Sequence, residues 1–373
     1  MQTSIAFCAL GLEPLLRDEI KKMGLIPLEP QQGRVRFSAT WEGLIRAQMG
    51  SRIAERMGWE LFHGPCNDFD ELYGAFESIN WEDHFRPTDN IIIDHVRLNW
   101  SKLTAVPSVQ SVAQKAIFSR LCQKWNVGRL ELSGEVKKIR LYLDQDVLSI
   151  VLDTSGEPLH KRGYRKASGE APLKETVASA LVQFSGWRRK YALHDPFCGS
   201  GTILIEAGLY GRDQVPGVSR SYGFIQHPAF PHDLYQKLRE EARNRVLASP
   251  AMALSGSDYD PRVIQIAQSN TDKARLQDYI TYTRQDMNQA LPSDKEPGFL
   301  ICNPPYGERL ETIDQAKAIS REMRVLKQNF EGWNMGILTP LKDFPELFGA
   351  KPFKVRTIQN GSVSVFYYQF MGR

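Results

Sequence analysis

Residues 195–202 read Asp-Pro-Phe-Cys-Gly-Ser-Gly-Thr and stand between a short apolar run at 191–193 and a helical pattern at 202–209. A strand that ends in an acid, followed by a glycine pair and a helix start, is typical of a nucleotide-binding turn. Glycine lets the main chain approach a ligand, and the helix amino terminus offers free N–H donors. The stretch lacks both GxGxxG and GK[ST], so it favours a ligand with an ammonium group over one held by phosphates. A plain glycine-rich turn remains the alternative from these residues alone.

Strand and helix patterns alternate on the carboxyl-terminal side of this turn. Apolar runs at 253–257 and 298–302 each end in a polar loop, and a helical pattern at 261–274 follows the first. Such alternation predicts an α/β domain with a parallel sheet and covering helices. The patterns before residue 161 place several helices beside few strands, which is typical of α+β modules. We therefore predict two α+β modules, at 1–60 and 61–160, and an α/β domain at 161–373.

Two local predictions concern segments outside the turn. Apolar residues at helical spacing predict a helix over 41–57 in the first module. The stretch 210–231 is rich in glycine, proline and aromatic residues and interrupts the alternation of the α/β domain. We predict that it is an inserted loop packed near the functional site.

Composition and charge limit the classes of protein. The 373 residues carry 47 lysines and arginines against 43 acids, a net charge of +4, which permits a nucleic-acid partner without requiring one. The five cysteines form no CxxC pair, so we expect neither disulfides nor a zinc or other metal site, and we expect a reducing cytoplasm. No run approaches the roughly 18–20 apolar residues of a membrane span, so we expect no membrane partner.

Carboxylates follow two further strand patterns. Asp258 comes directly after the apolar run at 253–257, where an acid accepts both hydroxyls of a ribose, while Asp260 fits a cap of the next helix. The alternative is that both residues act only as helix caps. Asp286 follows the strand pattern at 280–283 and suits the exocyclic amine of an adenine. A solvated loop aspartate is the commoner explanation for any lone residue of this kind.

The sequence Asn303-Pro304-Pro305-Tyr306 follows the apolar pattern at 299–302. Two prolines hold the chain extended and remove two N–H donors, so that carbonyl groups are left free to accept. The Asn303 side-chain oxygen and the Pro304 carbonyl would clamp a planar exocyclic NH₂ group and orient its lone pair. A base held in this way must leave its stack and would lie against the ring of Tyr306.

These motifs together resemble a known family. The order DPFCGSGT, GSDYD, RQDM and NPPYGERL resembles class I S-adenosylmethionine (SAM)-dependent methyltransferases that act on exocyclic amines. More narrowly, the chain is similar over nearly its whole length to THUMP-domain RNA methyltransferases of the bacterial large-subunit ribosomal RNA guanine-N2 type. HKRGYR at 160–165 and APLKET at 171–176 match that family at its domain junction. The resemblance implies a ferredoxin-like module at 1–60, a THUMP RNA-binding module at 61–160 and a Rossmann-like methyltransferase domain at 161–373.

The resemblance also implies SAM as cofactor and a role for each motif. The residues that would hold the methionine end are Pro172, Leu173, Lys174 and Glu175. The residues that would hold its amino-acid part are Asp195, Phe197, Cys198, Gly199, Ser200, Gly201 and Thr202. Asp258, Tyr259 and Asp286 would hold the ribose and the adenine. The catalytic motif would be Asn303, Pro304, Pro305 and Tyr306.

The implied activity is methylation of guanine N2 in 23S ribosomal RNA or in a large-subunit assembly intermediate. NPPY also occurs in adenine-N6 DNA methyltransferases, so it indicates amine methylation better than it indicates the base. The alternatives are a transfer RNA guanine-N2 enzyme, an adenine-N6 DNA enzyme and a non-catalytic RNA-binding assembly factor. We expect direct in-line transfer, with Cys198 and Cys302 as packing residues rather than nucleophiles.

Basic clusters are the candidates for RNA contact. They comprise Lys137, Lys138 and Arg140 in the second module and Lys161, Arg162 and Arg165 at the domain junction. Such clusters suit phosphates, although a solvated face explains each equally well. The stretch 210–231 mixes cations and rings that could receive an extruded base; these are Arg220, Tyr222, Phe224 and His227.

Overall fold

Two seven-stranded sheets organise the computed structural model, one in each half of the chain. The structure describes residues 1–28, 31–165, 173–248, 252–292, 296–306, 312–361 and 363–372. Within these ranges, no helix is both long enough and apolar enough to cross a membrane.

The first sheet takes all its strands from the amino-terminal half and has the order β2-β3-β1-β4-β7-β6-β5. All its neighbouring strands are antiparallel except β5 and β6. The elements of this half are β1 (Gln2–Phe7), α1 (Glu13–Lys22), β2 (Ile26–Pro27), β3 (Arg34–Ala39), α2 (Trp41–Gly50), β4 (Arg56–Pro65), α3 (Phe69–Glu77), β5 (Asn90–Asn99), α4 (Val106–Trp125), β6 (Val136–Asp144) and β7 (Val147–Asp153).

Strand β4 belongs to both predicted amino-terminal modules. Its first residues pair with β1, from Phe7 opposite Arg56 to Ser4 opposite Trp59. Its other edge pairs with β7, from Gly58 opposite Asp153 to Pro65 opposite Val147. The boundary that we placed after residue 60 therefore falls inside a strand, and the two modules share one continuous sheet.

Helix α2 is shorter than its sequence pattern predicts. The Thr40 side chain accepts a hydrogen bond from the Gly43 N–H at its start, and the chain turns extended at Ser51. The buried carboxylate of Glu19, from α1, accepts hydrogen bonds from the Ser51 hydroxyl at 2.8 Å and from the Arg52 and Ile53 N–H groups at 3.2 and 3.3 Å. This distant carboxylate stabilises a turn where apolar spacing alone predicts seven more helical residues, so the prediction of a helix to residue 57 was wrong.

The second sheet forms the core of the carboxyl-terminal half and has the order β10-β9-β8-β11-β12-β14-β13. Strands β8 to β12 are parallel, and β14 runs antiparallel between β12 and β13. The elements are α5 (Glu175–Phe184), β8 (Leu193–Asp195), α6 (Thr202–Gly211), α7 (His232–Asn244), β9 (Leu254–Asp258), α8 (Pro261–Ala274), β10 (Ile280–Arg284), β11 (Phe299–Cys302), α9 (Ile313–Glu322), α10 (Arg324–Asn329), β12 (Asn334–Thr339), α11 (Phe344–Phe348), β13 (Lys354–Asn360) and β14 (Val363–Phe370).

The path of the chain through this sheet locates a crevice. It moves outward from β8 through β9 to β10, and then returns to the other side of β8 as β11. Ligands of open parallel sheets bind outside the carboxyl ends of the strands where the order reverses in this way. The predicted α/β domain with a parallel sheet is confirmed, and the structure adds the reversal between β8 and β11.

The stretch 210–231 packs against the amino-terminal sheet instead of lying beside the crevice. Phe230 contacts Trp41 edge-on at a ring distance of 5.7 Å, and His227 contacts Trp59 at 4.9 Å. Tyr222 and Phe224 are buried as well. These rings form an aromatic core between the two halves, so the predictions that this stretch lies near the site and receives an extruded base were wrong.

Candidate active site

Three polar side chains meet at the carboxyl edge of the second sheet. Asp195 is the last residue of β8, Asp258 is the last residue of β9, and Asn303 follows β11 directly. Strand β8 pairs with β9 on one side and with β11 on the other, so the three residues flank the reversal of strand order. The structure thus brings together the three motifs on which the sequence prediction depends.

The glycine turn after β8 has left-handed backbone angles at both glycines, with φ of 50° at Gly199 and 80° at Gly201. A Cβ on Gly201 would come within 2.4 Å of the Tyr282 hydroxyl oxygen, so only glycine fits against β10. A Cβ on Gly199 would meet no described atom nearer than the Phe197 carbonyl oxygen at 4.0 Å. Gly199 therefore faces open space at the mouth of the crevice, while Gly201 serves packing.

The Asp258 carboxylate is already oriented by the main chain. Its Oδ2 accepts a hydrogen bond from the Gly199 N–H at 3.1 Å, and its Oδ1 accepts one from the Asp260 N–H at 3.1 Å. Burial raises the pKa of this carboxyl group. Each oxygen keeps a lone pair for a hydroxyl donor. Asp260 caps α8 by accepting from the Arg262 N–H at 2.8 Å, as the sequence predicts, and Tyr259 is 72% exposed at the rim.

Asp195 lies deeper, with only 1% of its surface exposed. Its Oδ1 accepts a hydrogen bond from the Phe197 N–H at 3.0 Å. Burial, followed by the nearby charge of Asp258, raises the pKa of Asp195 well above its usual range. A bound cation would counteract this shift, because an opposite charge nearby favours the ionised carboxylate. This arrangement suits the ammonium-bearing ligand that the motif predicts.

The Asn303 side chain presents an acceptor that no described residue satisfies. The residue is 8% exposed, and its buried Oδ1 has no hydrogen-bond partner within the described part of the chain. An unsatisfied buried acceptor costs about 1–3 kcal/mol, which a donor from a bound molecule would recover. Pro304 is buried beside it, while Pro305 and Tyr306 are half-buried. The Asn360 Nδ2 donates to the Tyr306 hydroxyl at 3.4 Å, and residues 307–310 of NPPYGERL lie outside the described residues.

Two buried cysteines lie at the same edge. Burial raises the pKa of the Cys198 thiol and of the Cys302 thiol well above the usual range, with a further contribution from the charge of Asp195. The thiolate needed for nucleophilic attack is therefore disfavoured at both positions. Cys198 Cβ and Sγ fill the space next to Gly256, where an added Cβ would come within 2.9 and 3.3 Å of them. A packing role fits both residues.

The segment before α5 closes one side of the crevice. Leu173 is buried and lines the pocket together with Asp195, Ser200, Thr202 and Asn303. Lys174 points elsewhere, because its Nζ lies 2.9 Å from the Glu55 carboxylate of the amino-terminal half. The side chain of Lys174, which the resemblance assigns to the methionine end, therefore does not line the pocket, and Pro172 lies outside the described residues.

Arg165 joins the walls of the crevice rather than facing solvent. Its guanidinium donates to the Leu173 carbonyl at 2.9 Å and to the Thr202 hydroxyl at 3.0 Å, and it lies 3.5 Å from the Glu175 carboxylate. The hydroxyl of Ser200 lies 3.2 Å from that of Thr202, so the glycine turn is tied to the same group. Arg165 is thus a structural residue and not the RNA contact that the sequence predicts. Its position in the junction motif was the only sequence signal for this structural role.

Two other cations predicted to contact RNA are buried. Arg162 is 8% exposed and donates to the Leu159 and Arg52 carbonyls at 2.6 Å each, beside the buried Glu206. Lys137 donates to the Gln226 carbonyl at 3.1 Å. Neither side chain reaches a phosphate from these positions, so both predictions are corrected. The other predicted contacts remain nearer the surface, in ion pairs; they are Lys138 with Asp94, Arg140 with Asp94 and Asp153, and Lys161 with Glu157.

Asp286 follows β10 at the same edge of the sheet. It is exposed, and its carboxylate accepts a hydrogen bond from the Asn288 N–H at 2.8 Å, which caps a short 3-10 turn. The side chain is thus at the outer end of the edge that Asp195, Asp258 and Asn303 define.

The strand order and the acidic, glycine-rich edge define a class I SAM-dependent methyltransferase. A family model described as the RMKL-like methyltransferase domain matches residues 162–369, and one described as the RlmL ferredoxin-like domain matches residues 3–57. The chain belongs to this RMKL-like methyltransferase family, with an amino-terminal ferredoxin-like domain.

Relatives of the chain match it from end to end. It is 33% identical to a protein of Bacillus subtilis (strain 168) that carries the provisional name RNA methyltransferase YpsC, over 100% of this chain and 96% of that protein. Among solved structures, SMU.472, a provisionally named methyltransferase complexed with SAH, is 31% identical, with a TM-score of 0.92 over 100% of this chain and 98% of that one. An N6-adenine-specific DNA methylase, so named by prediction, from Listeria monocytogenes str. 4b F2365 is 32% identical, with a TM-score of 0.91 over 100% of this chain and 96% of that one.

The cofactor of the protein is SAM, as the SAH complex of SMU.472 implies. The described residues fit this molecule. Open space faces Gly199, the Asp258 carboxylate keeps acceptor capacity for hydroxyls, and Asp195 is a buried acid whose charge a cation would stabilise.

Proposed function

We propose that the protein transfers the methyl group of SAM to the exocyclic N2 amine of a guanine in large-subunit ribosomal RNA. The observation that carries the proposal is the buried Oδ1 of Asn303 at the reversal of strand order, which has no hydrogen-bond partner among the residues that the structure describes. It is an acceptor held beside the cofactor crevice, and the donor that matches it is an N–H of the substrate.

The motifs divide the cofactor among them. Asp195 and the main chain of the glycine turn from Phe197 to Thr202 hold the amino-acid end, with Leu173 as an apolar wall and Arg165 fixing the distance between walls. Asp258 accepts the ribose hydroxyls, Tyr259 flanks them at the rim, and Asp286 accepts from the adenine amine. Bound SAM supplies an electrophilic methyl group on a sulfonium.

The catalytic motif orients the nucleophile. The Asn303 Oδ1 and the Pro304 carbonyl each accept one N–H of the target amine, so that its lone pair points along the line of transfer. Pro305 keeps the chain extended, and the half-buried ring of Tyr306 supports the extruded base by stacking. Most of the acceleration then comes from positioning two reactants at the right distance and angle. The protonated thiols of Cys198 and Cys302 take no part.

The choice of ribosomal RNA and guanine rests on the amino-terminal half. The family model that matches residues 3–57 bears the description of the RlmL ferredoxin-like domain, and the full-length relative YpsC is named as an RNA methyltransferase. We propose that residues 61–160 form a THUMP module that brings RNA, such as 23S ribosomal RNA or an assembly intermediate, to the catalytic domain. Transfer RNA guanine N2 remains the nearest alternative within this class.

Adenine N6 in DNA is the second candidate. The relative from Listeria monocytogenes is named as an N6-adenine-specific DNA methylase, and its whole fold matches this chain. The clamp at Asn303 and Pro304 accepts any planar exocyclic amine, so it serves adenine N6 as well as guanine N2. The amino-terminal half is what favours RNA.

The test is methyl transfer from labelled SAM to ribosomal RNA, transfer RNA and DNA isolated from a deletion strain, followed by nucleoside analysis. We expect label in N2-methylguanosine of the large-subunit RNA, and we expect most of it to be lost with Asn303→Ala. Label in N6-methyladenine of DNA, or in transfer RNA alone, would contradict the proposed ribosomal RNA substrate but would still agree with the proposed amine clamp. Absence of label from all three, and from large-subunit precursor particles, would overturn the catalytic proposal.

A further inference from the structure

The amino-terminal sheet has a face that the main core does not cover. In β1, Ala6 packs into the main core, whereas Ile5 and Phe7 belong to a separate small cluster with Tyr142 and Val151. Two cavities lie along this second face, and both are lined by Phe7, Gly33, Arg97 and Tyr142. The two cavities adjoin at these shared residues, and we call them together the sheet groove.

The floor of the sheet groove is aromatic and its walls are cationic. The rings of Phe7 and Tyr142 stack at 4.7 Å along the floor. The cations that line it are Arg34, Arg56, Arg97, Arg140 and Lys174, against the two carboxylates Glu55 and Asp144. The lining therefore carries a net positive charge, although the chain as a whole is nearly balanced.

Arg97 is the most available of these cations. It lies on β5 and is exposed, and its guanidinium forms no ion pair or hydrogen bond with a side chain in the described ranges. Arg56 and Arg140 are paired with Asp153, whose side chain is only 1% exposed and does not line the groove. Arg140 also pairs with Asp94. Neither Asp153 nor Asp94 lines the two cavities, so the lining itself presents a net positive charge to an incoming anion.

The sheet groove ends at the catalytic domain. Its far wall includes Gln359 near the end of β13 and Gly361 directly after that strand, together with Lys174 before α5. Asn360, the last residue of β13, donates to the hydroxyl of Tyr306 in the catalytic motif at 3.4 Å. The end of β13 also contacts the amino-terminal half, because the Gln359 N–H donates to the Leu10 carbonyl at 3.0 Å. One end of the groove therefore lies next to a residue that contacts Tyr306 of the catalytic motif.

We infer that the sheet groove holds a single-stranded RNA segment adjoining the target nucleotide, with phosphates on Arg97 and its neighbours and bases towards Phe7 and Tyr142. The inference rests on the proposed function and adds the surface that delivers its substrate. Stacking platforms flanked by cations are the usual means of holding single strands, and specific RNA recognition mostly targets unpaired segments. Of the six cations that the sequence predicts to contact RNA, only Arg140 lines this groove.

The experiment measures binding of a fluorescein-labelled single-stranded RNA of about 20 nucleotides by anisotropy, with the full chain saturated with SAH, over a salt series. We expect Arg97→Gln to weaken binding about tenfold and to lower the salt slope by about 0.7, the value for one phosphate contact on a single strand. The matched control is Arg129→Gln. Arg129 is also exposed and is unpaired among the described residues, but it follows α4 outside the groove. This control should change the affinity less than twofold.

Ultraviolet crosslinking gives a second readout, in which peptides containing Phe7 or Tyr142 should carry the RNA. Equal affinities of Arg97→Gln and Arg129→Gln, or crosslinks confined to other peptides, would overturn the groove while methyl transfer to ribosomal RNA still supports the proposed function. Tighter binding of single-stranded DNA of the same sequence, with the same dependence on Arg97, would overturn RNA as the occupant. Crosslinking in the groove without any guanine methylation would support the groove and count against the proposed function alone.

Discussion

The two sheets have equal numbers of strands, but the second is covered on both faces whereas the first has one uncovered face. In β11, Leu300, Ile301 and Cys302 are fully buried, so both faces of the second sheet are covered. In β5 and β3 of the first sheet, buried and exposed residues mix along the strand, and arginines and carboxylates occupy the uncovered face. A sheet covered on both faces leaves only its strand ends for chemistry. A sheet with one uncovered face offers a broad surface instead, which suits a macromolecule.

At the carboxyl edge of the second sheet, we expect Asn303→Ala to have the largest effect on activity. We expect turnover to fall about 10²- to 10³-fold, the usual cost of removing one positioned hydrogen-bonding group from an active site. SAM affinity should change less than twofold, because the proposed partner of Asn303 is the target amine. Single-turnover rates and calorimetry measure the two quantities. Asn244→Ala, on the exposed end of α7, is the control, and lost SAM binding in folded Asn303→Ala would show that the residue has a different role.

Asp258→Ala should act on the cofactor. We expect SAM affinity to fall about 10- to 100-fold, since hydrogen bonds to a charged group contribute about 1.5–3 kcal/mol. Asp260→Ala is a matched control two residues away. It removes the cap of α8 and should cost about 1 kcal/mol of stability without weakening SAM binding. Calorimetry and thermal unfolding separate the effects, and equal SAM affinities of the two variants would contradict the assignment of the ribose to Asp258.

The pH dependence of SAM binding probes the deepest residue of the edge. Burial raises the pKa of Asp195, so its carboxyl group takes up a proton at a higher pH than an exposed aspartate does. A protonated carboxyl cannot pair with the ammonium of SAM, so affinity should fall as pH is lowered through the raised pKa, by up to about tenfold per pH unit. Asp195→Asn should bind SAM more weakly at neutral pH and lose most of this dependence. Tighter binding on acidification would contradict the proposed contact.

Lys138→Gln should have the smallest effect on RNA binding. It tests a cation of the first sheet that lies outside the sheet groove. Its Nζ lies 3.4 Å from Asp94, and Lys138 does not line the sheet groove. We expect its removal to weaken RNA binding less than about threefold, as is common for a solvent-accessible, already paired charge. Anisotropy under the conditions used for Arg97→Gln measures it. A larger loss than that of Arg97→Gln would place the RNA on the basic cluster that the sequence predicts.

Local sequence was sufficient for the strand ends of the second sheet. The acid of β8, the glycine turn, Asp258 and Asn303 each belong to a short continuous motif, and the parallel order of the strands brings the motifs together. Helix α8 spans the predicted residues because its start signals, Asp260 and Pro261, are adjacent in the chain. The carboxyl edge was therefore predictable from periodicity and turn chemistry.

Features that depend on distant partners were not predictable in this way. Helix α2 ends early because Glu19 of α1 binds the turn that follows it. Arg162 looks like a surface cation in the sequence, but carbonyl groups and Glu206 from another element satisfy it in the interior. The rings at 210–231 belong to a core whose other half is Trp41 and Trp59. In each case the decisive group lies more than thirty residues away, beyond the reach of a local pattern.

The shared strand β4 has a consequence for cooperativity. Its residues Gly58 and Trp59 pair with β1 on one edge and with β7 on the other, so neither predicted amino-terminal module has a free edge at their boundary. Opening one module exposes unpaired N–H and C=O groups of the other, which couples their unfolding. Slow-exchanging amides of β1, β4 and β7 should therefore report one common free energy of opening. A fragment cut after residue 60 would lose the part of β4 that pairs with Val147 to Ile150.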